Sequence, residues 1–346
     1  MKKLFVFVCL STLLFPAVYA QQKSDQLYGF IDKTGKIVID RQFGYALSFA
    51  EGLAVIVKNY KYGYIDKTGK IVIEPRFDDA RDFSEGLARV YVLKGEGWGS
   101  WGYIDKTGKI VIEPQFYDAD DFSDGMARIT NGTFWGYIDK TGKIVVEPKY
   151  TQAADFTEGL AKVMRDPYWI YIDKTGKIVI ETQSGYTGHF KQDLCYINGL
   201  RRMYGKYGYI DKTGKIIIEP QFDDARDFSE GLARIEINNK YGYIDKTGKM
   251  VIEPQFDTAG DFSEGLASIG KNGKCGYIDK TGKMVIKPQF DLAWNFSEGL
   301  AVIKKNQKYG FIDKTGKIVI EPQFGFAEPF REGLALIGPP QPEGGK

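Results

Sequence analysis

The chain has a single histidine, His189, in 346 residues. That removes multi-histidine metal sites and any chemistry built on several imidazoles. Cysteine is scarce too. Cys9 falls in an N-terminal apolar run, and Cys195 and Cys275 stand far apart at non-equivalent positions of the repeat described below. They are read as unpaired, so stability must come from packing. Charge of one sign is lacking: 47 Lys+Arg face 45 Asp+Glu, and removing Lys2 and Lys3 with the leader leaves 45 against 45. Nothing electrostatic then recommends nucleic acid or an anionic membrane as a partner. Walker A, Gly-x-Ser-x-Gly and zinc-spaced cysteine pairs are missing. Gly95, Gly97 and Gly99 imitate a phosphate loop, but no helix pattern follows them.

The first apolar run is also the last of any length. Met1-Lys2-Lys3, an apolar stretch over 4–15 and Ala17-Val18-Tyr19-Ala20 make the three regions of a secretory signal peptide. Cleavage is expected after Ala20. The run is too short to span a bilayer, and no lipobox precedes Cys9. The expected product is exported (periplasmic, cell-surface or extracellular), with no membrane insertion after cleavage. At 43% hydrophobic and 14% aromatic residues it should fold.

What the chain has in abundance is one unit. Ile-Asp-Lys-Thr-Gly-Lys occurs nine times, with its Asp at 32, 66, 105, 139, 173, 211, 245, 279 and 313. Six of the spacings are 34, and the other two, 39 and 38, mark insertions. A period in this range means a solenoid, a propeller or an array. Nine units occupy nearly the whole mature chain and leave no room for a catalytic domain. The expected organisation is a signal peptide over 1–20, a repeat array over 21–338 and a flexible tail over 339–346.

Asp-Lys-Thr-Gly between β-rich runs predicts a hairpin, with Asp opening a type I turn and Gly supplying the positive φ that closes it. Tyr62-Gly63-Tyr64-Ile65 is one strand and Lys70-Ile71-Val72-Ile73 the next, ended by Pro75. A polar link over 76–85 with at most an irregular turn leads to a third strand, Gly86-Leu87-Ala88-Arg89-Val90-Tyr91. Each unit is read as a three-stranded antiparallel meander.

Trp101-Gly102 and Trp135-Gly136 stand directly before the Tyr-Ile-Asp turn, and Tyr takes the Trp position at 28, 62, 207, 241 and 309. In this the chain resembles the WG repeat family. The resemblance implies a repeat scaffold and supplies no catalytic residue.

A single meander cannot bury its own apolar face, so it must stack on copies of itself. The Tyr64 and Phe77 columns are large enough to bridge neighbouring units. Carboxylates such as Asp78, Asp79, Asp82 and Glu85 recur in most units, which suits loop charges and turn caps. Calcium is the lesser reading, and a catalytic pair would be expected once only. No cofactor is expected.

Two departures from the repeat are candidate ligand patches. One is the fifth unit, which loses Glu-Pro-Gln-Phe and places Arg201 where other units are read to have Ala; its surface is expected to gather His189, Tyr196, Arg201, Arg202 and Tyr204. The other surrounds the insertion at 95–100, with Trp98, Trp101 and Trp135 as rings able to stack on sugars. A drifting repeat explains the first equally well, and core packing the second.

The favoured architecture is all-β, nine repeats of about 34 residues stacked as an open solenoid. The alternative is a closed propeller-like ring, for which one feature speaks: the chain starts on the second strand of a meander, at Tyr28, and ends on an orphan first strand, 334–337. The favoured function is an exported, non-enzymatic scaffold that binds a protein or glycan at the bacterial cell envelope. A structural envelope component and a polysaccharide hydrolase are the alternatives.

Overall fold

The computed structural model describes residues 27–339 except 96, 183–186 and 199–204. The expected signal peptide and nearly all of the expected tail lie outside the described residues. The strands form nine small antiparallel sheets. These are the blades of a closed ring, numbered here from the blade that holds Tyr28. The ring replaces the favoured open solenoid, and the reason lies in the chain ends. Tyr28–Ile31 pairs with Ala335–Gly338 (Gly29 with Ile337, Phe30 with Leu336, Ile31 with Ala335), so the first and last repeats share blade 1. Pairing satisfies the backbone groups that an open array would leave at both ends.

Blade 3 is representative. Its strands are Asp79–Ala80, Ala88–Lys94, Trp98–Ile104 and Ile110–Phe116, in that order across the sheet. The strand Asp79–Ala80, short, innermost and additional to the three expected, occupies the link read from sequence as irregular. Only two residues pair continuously there, below what a strand pattern can signal. The outer strand does not stop at proline: in blade 2, Ile71–Phe77 runs through Pro75. Pairing jumps from Tyr64↔Ile73 to Tyr62↔Phe77, a bulge that takes Pro75 out of the ladder. The bulged backbone lies on Gly63, where a Cβ would meet the Pro75 nitrogen at 2.6 Å. The glycine of the aromatic-Gly pair is thus required by the outer strand.

The hairpin turn forms as read. Asp66 Oδ1 accepts from the Thr68 amide (2.9 Å), the Thr68 hydroxyl (2.6 Å) and the Lys70 amide (3.1 Å), and Gly69 has φ 84°. These bonds hold the Asp66 carboxyl below its ordinary range, the Thr68 hydroxyl foremost.

The core lies between blades. Tyr64 of blade 2 packs its ring 5.0 Å from Phe83 of blade 3 and donates its hydroxyl to the Arg81 carbonyl at 2.7 Å. The pair recurs at every interface, with Phe30 and Phe311 replacing tyrosine at two of them. Burying such a ring is worth a few kcal/mol, at about 25 cal/mol per Å². The edge-on or tilted aromatic pair adds about 0.5–1.5 kcal/mol.

A second seam runs between the Ser-Glu-Gly-Leu turns. Glu85 accepts from the Gly125 amide of the next blade at 2.9 Å and pairs with Lys140 at 3.1 Å. The same bond passes around the ring until Glu332 accepts from Gly52, at 2.9 Å across the chain ends. In blade 6 the amide acceptor is Gln192, bonded to Gly231 at 3.0 Å. Among the described residues no helix is long and apolar enough to cross a membrane.

Candidate functional site

Each blade has two ends. The Ser-Glu-Gly-Leu and Asp-Lys-Thr-Gly turns lie together at one, joined by the Lys–Glu seam. The turns between second and third strands, and the crossings to the next blade, lie at the other. In blades 7, 8 and 9 the tips of this second face are polar: Asn238-Asn239, Asn272-Gly273 and Asn306-Gln307. Blades 2, 3 and 4 instead carry Tyr60 (60% exposed), Trp98 (70%) and Phe134 at theirs. Tyr117, 59% exposed, leads into blade 4 and lies against the tip glycine Gly132. Tyr45, on the way into blade 2, and Leu93, beside Trp98, complete an arc of exposed apolar side chains.

The insertion builds the middle of this arc. It lengthens the blade 3 hairpin so that Ala88–Lys94 pairs along its whole length with Trp98–Ile104. Tyr91 lies across the hairpin, its hydroxyl accepting from the Gly99 amide at 2.9 Å. Its ring is 5.4 Å from Trp101. Trp101 is half-buried, between Arg81 (5.8 Å) and Arg89 (5.2 Å). Arg81 pairs with Asp79, beside Tyr45 and Tyr62, whose rings are 6.1 Å apart. Burial pushes the Tyr45 hydroxyl up to about 12, eased by Arg81. Trp135 sits over Arg128 at 5.1 Å, and Arg128 donates to the Ala153 carbonyl of the next blade at 2.5 Å. Trp98 is therefore an exposed ring, whereas Trp101 and Trp135 serve mainly as lids over buried cations.

The fifth-unit patch does not come together. Arg201, Arg202 and Tyr204 lie outside the described residues. Tyr196 is in the core, on Leu194–Asn198, its ring covering Gly188 and facing Tyr207 at 6.1 Å. The alanine position of this unit belongs to Cys195, paired with Ile210 as Ala88 is with Ile104. The reading that gave it to Arg201 followed a second Gly-Leu, six residues downstream of Leu194. Cys195 is buried, its thiol pushed up to about 12 by that burial, and both Cys195 and Cys275 are free.

His189 is on the axial side of blade 6. It lines a cavity of about 570 Å³ with Asp155, Asp227, Ser123, Thr157 and Lys191. Burial, reinforced by Lys162 and Arg128, lowers its pKa to about 4, so the imidazole is neutral at pH 7. Asp82, Asp121, Asp155 and Asp227 hold the same position in other blades. Asp121 and Asp155 lie beside Arg89 and Arg128 at 3.0 and 3.1 Å. Burial raises Asp82 and Asp227 to about 6, with the charge of Asp121 adding to the effect on Asp82. These carboxylates are thus half-buried at the axis, not solvated loop charges. Among the described residues no cluster of three or more His, Cys, Asp or Glu side chains is placed to hold a metal ion.

Sequence reasoning missed Tyr45, Tyr60, Tyr117 and Phe134. Comparing hairpin tips unit by unit would have found Tyr60, where blades 7, 8 and 9 have Asn239, Gly273 and Gln307, and Phe134, where they have Lys240, Lys274 and Lys308.

No curated protein matches the sequence. Among solved structures, a eukaryotic initiation factor is similar with a TM-score of 0.58 at 11% identity, over 92% of this chain and 100% of that one. At that identity the likeness concerns the fold. PorZ, a surface component of the type-IX secretion system of Porphyromonas gingivalis, gives a TM-score of 0.32 at 11% identity, over 78% of this chain and 44% of that one. Nine segments match the WG containing repeat: 28–62, 62–94, 101–132, 135–169, 171–198, 207–241, 241–275, 276–309 and 309–337. With matches along the length of the ring, the chain belongs to the WG containing repeat family.

Proposed function

We propose that this protein is an exported, non-enzymatic scaffold of the bacterial cell envelope that holds a protein or glycan partner on the face carrying the aromatic arc. The observation behind this reading is the gathering of Tyr60, Trp98, Tyr117 and Phe134, among the described residues, on three adjacent blades of a face whose tips in blades 7, 8 and 9 are polar. Large exposed rings gathered in one place mark a binding surface, whereas single ones do not. The absence of a catalytic role rests on repetition: the axial carboxylates occupy one repeat position in several blades, which suits a structural part. Export rests on the leader over 1–20.

The test is photo-cross-linking in intact cells, with the reactive residue placed at Trp98 or, as a control, at Val285 on the outer strand of blade 8. One defined adduct from position 98 and none from 285 is the expected result. Identical patterns from both positions would refute a binding face.

A further inference from the structure

Resting on that reading, we propose that the arc on blades 2–4 binds an uncharged, extended glycan of β-linked, equatorially substituted pyranoses. Such a polymer presents flat C–H faces at regular intervals. Tyr60, Trp98 and Phe134 each stand at the hairpin tip between the second and third strands of three successive blades, at different offsets within the turn but one ring per blade, so that one chain can cross them in turn. Of the six exposed apolar side chains in the arc, five are aromatic and only Leu93 is aliphatic. A protein partner would instead be expected to meet a continuous apolar core with a polar rim. Here the rings stand on separate hairpin tips with polar residues between them, including Asn59, Lys61, Asn131 and Thr133.

Charge decides the class of glycan. Most cations around the arc are already held, Lys58 at the blade 2 tip being the exposed exception. Arg81 pairs with Asp79, Lys61 with Asp78 at 2.5 Å, and Arg89 with Asp120 at 2.9 Å. Lys94 donates to the Pro114 carbonyl at 2.6 Å, and Arg128 is held by Asp120 at 2.6 Å. Apart from Lys58, an acidic polysaccharide would have to break these contacts to gain a counterion, and a neutral one need not. Tyr45 and Tyr62, beside the Asp79–Arg81 pair, supply hydroxyls for the sugar's own hydroxyl groups.

The experiment is affinity electrophoresis of the full-length mature protein in gels containing hydroxyethyl cellulose, with dextran and alginate as α-linked and acidic comparisons. Retardation by hydroxyethyl cellulose alone is expected, with the apparent affinity falling at least tenfold in Trp98→Ala and in Tyr60→Ala. Both residues are exposed, so both variants should keep the parent's circular dichroism. Mobility unaffected by hydroxyethyl cellulose, or equal retardation by alginate, overturns the proposal, as does retardation that survives both substitutions. If the glycan is rejected while position 98 still cross-links to one defined protein in cells, the scaffold reading stands with a protein partner. If neither binds, both fall.

Discussion

Glu264 holds a backbone conformation, φ 53°, that costs most side chains strain, and every Ser-Glu-Gly-Leu turn repeats it with Glu, Asp or Gln. Asparagine or glycine would suit the turn better. The residue is explained only by the neighbouring blade, whose Gly299 amide it accepts at 3.0 Å and whose Lys314 it pairs with at the same distance. Glu264→Ala should therefore cost about 1–2 kcal/mol of unfolding free energy, read by urea denaturation. Glu264→Asn should lose less, because it relieves the φ strain. Tyr243→Phe should cost about 1 kcal/mol, the worth of its hydroxyl bond to the Gly260 carbonyl. It should still fold, since blades 1 and 9 already use Phe30 and Phe311.

The axial carboxylates titrate in the opposite sense from most acid groups. Asp82 and Asp227 have folded pKa values of about 6, above the ordinary value of 3.8. Between those values the folded chain binds more protons than the unfolded one, so their contribution to stability falls as pH rises through that window. Asp82→Asn and Asp227→Asn should raise the melting temperature at pH 8, and the gain should vanish below pH 4. A gain that persisted at pH 4 would show that burial of the charge is not its cause.

Among the elements, the inner strands and the outer strands were the least legible in sequence. The Asp-Lys-Thr-Gly hairpin could be read because its bonds are local: Asp66, Thr68, Gly69 and Lys70 contain the whole turn. Pro75 misled because a proline ends a regular strand but not a bulged one, and the bulge depends on Gly63 across the sheet. Blade 5 shows the dependence in reverse. There Ile170 replaces the glycine, Thr182 replaces the proline, and the outer strand ends at Glu181 in plain register with Ile170. Adding a Cβ in blade 7, by Gly242→Ala, would press it to 2.5 Å from the Ile252 carbonyl oxygen. The expected cost is about 1–3 kcal/mol, with hydrogen exchange accelerated first in Met250–Phe256. The exposed arc was legible in part. Trp98 stood out because it lies in an insertion, but Trp101 and Trp135 were equally visible and are mostly lids over arginines. Tyr196 was misplaced because an irregular segment hid its register.

At the scale of the molecule, nine copies of one unit close on themselves because the final strand is supplied by the other end of the chain. Sequence could show that 334–337 and Tyr28 were complementary halves of one sheet, but not that the rotation per blade brings them together. That rotation is set by the packing of rings such as Tyr64 on Phe83, summed nine times. Ending the chain at residue 333 should strip blade 1 of its two inner strands' pairing and expose Phe30 and Phe49. Cooperative urea unfolding should then broaden or disappear. Closure is tested most directly by small-angle X-ray scattering of the mature protein. A closed ring predicts a radius of gyration near ~20 Å, the value for a compact chain of this length. A clearly larger radius, with the extended distance distribution of an open superhelix, would contradict it.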